Sequence, residues 1–364
     1  MRSCRTSSAG SRSRRLRDTR SIASSARDRR AQVSAPLPRI AVVALGGTIG
    51  APVDASGSNS ALAIDGRTLV ASIPGLDGVA DIEPSTFRSV MSADIGVGDV
   101  VDLAARISEL AAHGADGVVI TQGTDTLEEV AYLLDLLLQV EIPVVVTGAM
   151  RNPGRPVVDG PANVIDAVRT ATRPELASLG VLVVMAGEIH SARTVRKLHT
   201  SALAAFGSPG TGPIGWVVED RVRVPLQPAR RRITLSPAPG ALPRVALHRL
   251  ALGDDTAVLE LIPSLGYDGL VIETYGAGHV GSRALDALSR AVDAMPVVFA
   301  SRTGSGELYR ATGGYPGSEK DLADRGLISA VDLDGLKARL LLLALLAAGV
   351  HDRAAMTAAF EAHL

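Results

Sequence analysis

Two short runs crowd hydroxyls and glycines onto turns, and one of them adds a carboxylate. They are GGTIG at 46–50 and TQGTDT at 121–126. Each closes a valine-rich run, RIAVVAL (39–45) and GVVIT (117–121), and the second leads into EVAYLLDLLL, whose apolar residues recur at helical spacing. Part of this pattern is local structure. Thr126 followed three residues later by Glu129 has the spacing of a capping box, Asp125 suits a helix N-terminus, and Gly123 frees the chain to turn. Capping leaves Thr121, Gln122 and Thr124 without a role. A hydroxyl repeated on two strand-end turns, Thr48 and Thr124, with Asp125 alongside, fits hydroxyl nucleophile chemistry. Gly47 and Gly123 let a substrate approach the backbone of the two turns.

A threonine hydroxyl is a poor nucleophile at neutral pH and needs a base or a relay. Lys197, in SARTVRKLHTS, is the lone lysine of an otherwise arginine-rich stretch. A lysine in an apolar neighbourhood can lose its proton and act as a base, which arginine cannot. The competing reading is a solvated surface lysine. His190 and His199 flank this segment at a spacing that matches no zinc pattern and read as structural. His279, in GAGHV, falls on a turn of the second half and is placed to reach a cleft across an interface. GGTIG has neither GxGxxG spacing nor a GK[ST] ending, so nucleotide binding is weakly supported.

The elements that must position these residues alternate. Strands at 39–45, 117–121, 143–148 and 180–186 are separated by helical patterns at 97–112, 126–139 and 160–172. Runs apolar on both faces predict a parallel sheet covered by helices, an α/β fold. Right-handed crossovers then bring the strand C-termini, and with them Thr48 and Thr124, to one edge. After GPIGWVVED (212–220) the regularity stops in a proline- and arginine-rich stretch. Alternation resumes at RVALHRL (from 244) and continues through DGLVIET (268–274), PVVFAS (296–301) and a helix near 334–348. The expected organisation is an Arg/Ser-rich disordered extension at 1–37, a catalytic α/β domain at 38–222, a linker at 223–242 and a second α/β domain at 243–364.

Bulk properties narrow the field. The chain has 364 residues, 46% of them hydrophobic, and a net charge of -1. Eleven arginines against two aspartates in residues 1–39 give that stretch nine surplus positive charges, leaving -10 for the rest. The body is therefore mildly acidic, with no basic face for nucleic acid. No apolar run reaches the ~18 residues that span a bilayer. Paired arginines near the start are not followed by the apolar region of an export signal, so a cytoplasmic location is expected. The one cysteine, Cys4, excludes an internal disulfide and a cysteine-based metal site.

ALGGTIG, ITQGTDTLEEVAYLLDL, PVVVTGAMR, DGPANVIDAV and GVLVVM, in that order, resemble the bacterial-type L-asparaginase/glutaminase family. YGAGHV and LKARLLLLALL fit the smaller second domain of that family. The resemblance implies a larger N-terminal and a smaller C-terminal α/β domain. It also implies self-association as a dimer or tetramer, with sites at subunit interfaces. The implied reaction is hydrolysis of L-asparagine, with L-glutamine as a second substrate, and needs no metal and no cofactor. Residue by residue, Thr48 matches the nucleophile, Thr124 and Asp125 the second motif, and Lys197 the family lysine. Ser92 matches the serine that takes the substrate α-carboxylate, Asp125 would take the α-ammonium, and N–H groups near Thr124 would hold the oxyanion. Two positions depart from the pattern. Ala93 stands where many members have glutamine, and the segment APVDASGSNSALAIDG, read as a mobile lid, has no tyrosine. Two other readings are an asparaginase-like subunit of a tRNA-dependent amidotransferase, which should carry a further folded N-terminal domain, and a non-enzymatic amino-acid-binding homologue.

Overall fold

The strands at Arg39–Ala44, Gly117–Thr121, Val144–Thr147 and Val181–Met185 each alternate between two apolar interiors, and this fixes the layers. The structure is a computed structural model that describes residues 36–47, 49, 65–154, 156–227, 235–237 and 240–362. All but the last two residues of the extension read as disordered, Thr48 and most of the segment read as a lid lie outside the described residues.

In chain order the first half holds β1 (Arg39–Ala44), α1 (Gly66–Ala71), β2 (Asp81–Thr86), α2 (Val97–Ala112), β3 (Gly117–Thr121), α3 (Leu127–Leu137), β4 (Val144–Thr147), α4 (Gly160–Ala171), β5 (Val181–Met185) and β6 (Glu188–Ser191). A short ribbon of β7 (Arg196–Lys197) and β8 (Phe206–Gly207) follows, then β9 (Gly215–Val218) and β10 (Arg221–Arg223). The described residues place eight of these strands in one sheet, ordered β10-β9-β6-β5-β4-β3-β1-β2. The pairings from β2 to β5 are parallel, and those from β5 to β10 are antiparallel. β10 lies partly inside the stretch read as linker, because its two arginines pair along the open edge of β9.

In β1, Ala41 and Val43 face the side covered by α2 and α3, while Ile40 and Val42 face the side covered by α1 and α4. Val118 and Ile120 against Val119 repeat this in β3. That period of two, apolar on both faces, is what a sheet buried between helices requires. β2 has no such signature. DIEPST is partly exposed and contains Pro84, which is tolerated because, among the described residues, β2 is an edge strand bonded only to β1.

The second half holds β11 (Val245–Arg249), α5 (Ala257–Leu261), β12 (Gly269–Thr274), α6 (Leu285–Ala294), β13 (Val297–Ser301), α7 (Glu319–Asp324), β14 (Ile328–Ser329), α8 (Gly335–Ala347) and α9 (Arg353–Ala362). Its four strands form a parallel sheet in sequence order. The fold thus has the expected form, a larger mainly parallel sheet and a smaller parallel one. α8 is buried on nearly every side, as a helix apolar all round must be. It packs on α3 from the first half and on β11, β12 and β13 from the second, so a single apolar cluster runs through both. From Leu37 onward the chain is one compact unit. Among the described residues, no helix is long and apolar enough to cross a membrane.

Candidate active site

Register brings the motifs together. Ala44 of β1 lies opposite Thr121 of β3 and Thr86 of β2, and Thr121 lies opposite Thr147 of β4. The ladder continues one step past the strand ends, with Leu45 N donating to Thr121 O at 2.9 Å and Gln122 N to Thr147 O at 3.1 Å. The turns after β1, β3 and β4 and the loop after β2 therefore leave the sheet at one level.

Those turns pack with no room for side chains. Gly47 has φ +86°, a left-handed conformation, and a Cβ added to it would lie 2.2 Å from Gly123 N. A Cβ on Gly123 would lie 2.7 Å from Ser92 Oγ. Ser92 is buried and stitched to the second turn twice. Its hydroxyl oxygen accepts from Asp125 N at 3.3 Å, and its carbonyl accepts from Thr126 Oγ1 at 2.8 Å. The second bond corrects the capping box. Thr126 occupies the N-cap position of α3, but its hydroxyl is spent on Ser92, and no side-chain cap forms. Glu129, the expected partner, is half-buried near Arg339, and that burial pushes its carboxyl above the usual range.

Lys197 crosses to this edge on β7. Its Nζ donates to Thr124 Oγ1 at 2.9 Å and to Asp125 Oδ1 at 2.6 Å. Thr124 is 7% exposed, whereas the Asp125 side chain is 63% exposed and that of Lys197 18%, so the carboxylate is the member open to an incoming charge. The surface-lysine reading is thereby set aside. The structure brings together Gly47, Ser92, Gly123, Thr124, Asp125 and Lys197, and Thr48, which follows Gly47 in sequence, lies outside the described residues.

The remaining motif residues build the rim. The Asp159 carboxylate accepts from Met150 N at 2.8 Å and Arg151 N at 2.9 Å, and Asn163 Nδ2 donates to Gly148 O at 3.0 Å. The DGPAN run thus holds the loop after β4. Thr121 and Gln122, which capping left unexplained, are fully buried under the turn, and Thr121 Oγ1 and Gln122 Oε1 have no hydrogen-bond partner among the described residues. His190 is fully buried with Nδ1 3.0 Å from Ser208 Oγ, and burial pulls its pKa down to about 4. His199 accepts from Ser201 N and Ala202 N at 3.0 Å. Both therefore serve structure, as expected. His279 sits 3.4 Å from Glu319, with Tyr309 and Tyr315 beside its ring. No group of three or more His, Cys, Asp or Glu arranged to hold a metal occurs among the described residues.

Two charged residues near the site were given no role by the sequence. Glu128, buried at the start of α3, accepts a short hydrogen bond from the Lys197 backbone N–H. Burial pushes its carboxyl above the usual range, against the pull of Lys337, that N–H and Arg196. Lys337, 1% exposed in α8, donates to Val195 O at 2.6 Å and to Asp334 Oδ2 at 3.3 Å. The one available signal was the presence of charges in largely apolar helices, LEEVAYLLDLL with Glu128 and GLKARLLLLALLA with Lys337.

Comparison with known proteins gives the class. The family description "Asparaginase, N-terminal" matches residues 39–230, and "Glutaminase/Asparaginase C-terminal domain" matches residues 244–360. The chain belongs to this asparaginase family. A probable L-asparaginase from Deinococcus radiodurans is 39% identical over 328 residues, covering 86% of this chain and 95% of that one. A protein of Methanosarcina mazei that forms part of a glutamyl-tRNA(Gln) amidotransferase is 34% identical over 289 residues, covering 76% of this chain and 67% of that one. The crystal structure of a probable cytoplasmic L-asparaginase from Campylobacter jejuni superposes with a TM-score of 0.81 at 32% identity, covering 89% of this chain and 99% of that one.

Proposed function

We propose that the chain is an L-asparagine amidohydrolase that uses a threonine nucleophile and a Thr-Lys-Asp relay. The observation that carries this reading is the double contact of Lys197 Nζ with Thr124 Oγ1 and Asp125 Oδ1, on the turn whose Gly123 is packed against Gly47. The Thr48 hydroxyl attacks the side-chain amide carbon, and backbone N–H groups by Thr124 stabilise the oxyanion. Collapse gives a threonine ester and ammonia. Water activated by Thr124 and Lys197 then releases aspartate and frees the hydroxyl. Ser92 takes the substrate α-carboxylate. An α-ammonium brought to Asp125 competes with Lys197 for that carboxylate, which couples recognition of an amino acid to the state of the relay.

The same reading assigns 38–222 to a catalytic domain and 243–364 to a second domain, with dimers or tetramers in the cytoplasm. A role within a tRNA-dependent amidotransferase is the second candidate. A third of the Methanosarcina protein falls outside the region matched here, whereas the match to the Deinococcus protein spans nearly all of that chain. The higher identity to the Deinococcus protein, 39% against 34%, supports hydrolysis of free asparagine.

Ammonia release from asparagine and glutamine, measured for wild type and Thr48→Ala, tests the proposal. The variant should lose about 10³-fold in turnover with an unchanged melting temperature, because it removes a nucleophile and not core volume. Near-normal turnover in Thr48→Ala overturns the assignment.

A further inference from the structure

Among the described residues, the strand that carries Lys197 is bonded to another strand on one side only. β7 and β8 pair antiparallel, with Lys197 opposite Phe206. Leu198 N donates to Ala205 O at 2.7 Å, so the backbone groups of residue 198 face β8. In an antiparallel pair the hydrogen-bonded and non-hydrogen-bonded positions alternate, so the N–H of Lys197 points away from β8. The carbonyl of Val195, two residues earlier, points the same way. A buried edge with unmet N–H and C=O groups is costly. Here two side chains meet it. Glu128 accepts from Lys197 N, and Lys337 Nζ donates to Val195 O at 2.6 Å.

We propose that Glu128 is a positioning residue for Lys197. With Lys337 it takes the place a neighbouring strand would occupy, and so fixes where the lysine amine meets Thr124 and Asp125. The inference rests on the relay proposed above. Its geometric basis is that one helix start supplies both ends of the fit. Thr124 and Asp125 meet the lysine at its amine, and Glu128, four residues after Thr124, meets it at its backbone. Lysine is a long, flexible side chain, and tethering its root to the element that carries its target removes one source of misplacement. Lys337 and Arg196 supply the positive charges that favour a buried carboxylate at Glu128, against burial itself and the negative charge of Asp334. The clamp also crosses between the halves of the fold, since Lys337 belongs to α8.

The test compares Glu128→Gln, which keeps an acceptor oxygen at the same reach, with Glu128→Met, which keeps volume and loses the acceptor. Steady-state ammonia release from asparagine is measured for both, together with hydrogen exchange at the Lys197 amide. Glu128→Met should lose about 10- to 100-fold in kcat with KM within about threefold of wild type, as expected for a reacting group displaced by an ångström or less. Glu128→Gln should recover to within about fivefold of wild type, and only the Met variant should exchange the Lys197 amide faster. A kcat for Glu128→Met within about twofold of wild type, or a Gln variant no better than the Met one, overturns the proposal. If Glu128→Met does not melt cooperatively, Glu128→Asp replaces it. Asp keeps the charge and withdraws it by one methylene, and the same loss in kcat is expected. Should wild type release no ammonia from asparagine, the enzymatic reading fails by itself. Amide exchange then still decides the clamp, with faster exchange in the Met variant supporting it and unchanged exchange overturning it.

Discussion

Lys197 and Thr124 are separated by 73 residues of chain, yet the lysine amine donates to the threonine hydroxyl at 2.9 Å. If the pair acts as one proton-transfer unit, removing either member removes the unit. Thr124→Val and Lys197→Met should each lower kcat by roughly 10²–10⁴-fold, the span usual for acid–base groups. The double variant should be little worse than the poorer single one, because members of a unit are not additive. Losses that multiply in steady-state assays would mean that the two residues work independently.

Asp125 should select for substrates with a free amine. Succinamic acid has the amide and the carboxylate of asparagine but no α-ammonium, so it cannot make the charge-assisted bond to this carboxylate. Wild type should turn it over far more slowly than asparagine, mainly through kcat/KM. In Asp125→Asn the gap should narrow, since asparagine loses more than the analogue. Equal kcat/KM for the two substrates in wild type would reduce Asp125 to a helix-terminal carboxylate.

Gly47→Ala should be far more damaging than Gly75→Ala, although both glycines have positive φ, +86° and +80°. An alanine at 75 meets nothing within 4 Å, so only the backbone penalty of about 1–2 kcal/mol applies and activity should hold. An alanine at 47 meets Gly123 N at 2.2 Å and must part the two motif turns. Its turnover should fall at least about 10²-fold on the same geometric grounds as a misplaced reacting group. Similar kcat in the two variants would show that the close packing of the turns is not needed.

His190 should make folding stability depend on pH on the acid side. Its pKa is about 4 in the folded chain against 6.5 in the unfolded one, because burial disfavours the charged ring even with Glu188 3.3 Å away. The unfolded state therefore binds the extra proton first. The contribution is fully present above pH 6.5 and is lost as pH falls from 6.5 towards 4, by up to about 3 kcal/mol. Denaturant melts of wild type and His190→Gln between pH 7.5 and about 4.5 report the difference. A stability gap between the two proteins that does not shrink on acidification would place the His190 proton elsewhere.

The sequence showed the parts of this fold that repeat with a period. β1, β3, β4 and β5 are apolar on both faces, and α2 carries a clear helical stripe, so their positions could be read directly. The half-exposed edge strand β2, with a proline, and the two-residue strands β7 and β8 have no period to find. The threonine, aspartate and lysine of the relay were visible as unusual residue types on strand-end turns. The hydroxyl of Thr126 was misassigned because its bond to Ser92 O spans 34 residues, a partner that no local rule includes. Glu128 escaped notice because its partner is a backbone N–H 69 residues away, and backbone groups carry no sequence signature.

The placement of α8 has a bearing on how the chain is made. α3 starts beside the relay and carries Glu128, but it is covered in part by α8, which begins more than two hundred residues later at Gly335. At a synthesis rate of about 5–20 residues per second, the ribosome needs roughly 10–40 s to deliver that cover. Until then the first half of the nascent chain has one flank of its core bare and the Val195 carbonyl without the Lys337 amine. The residues of the relay are translated early, and the surroundings that hold them in place are completed only as the C-terminus emerges.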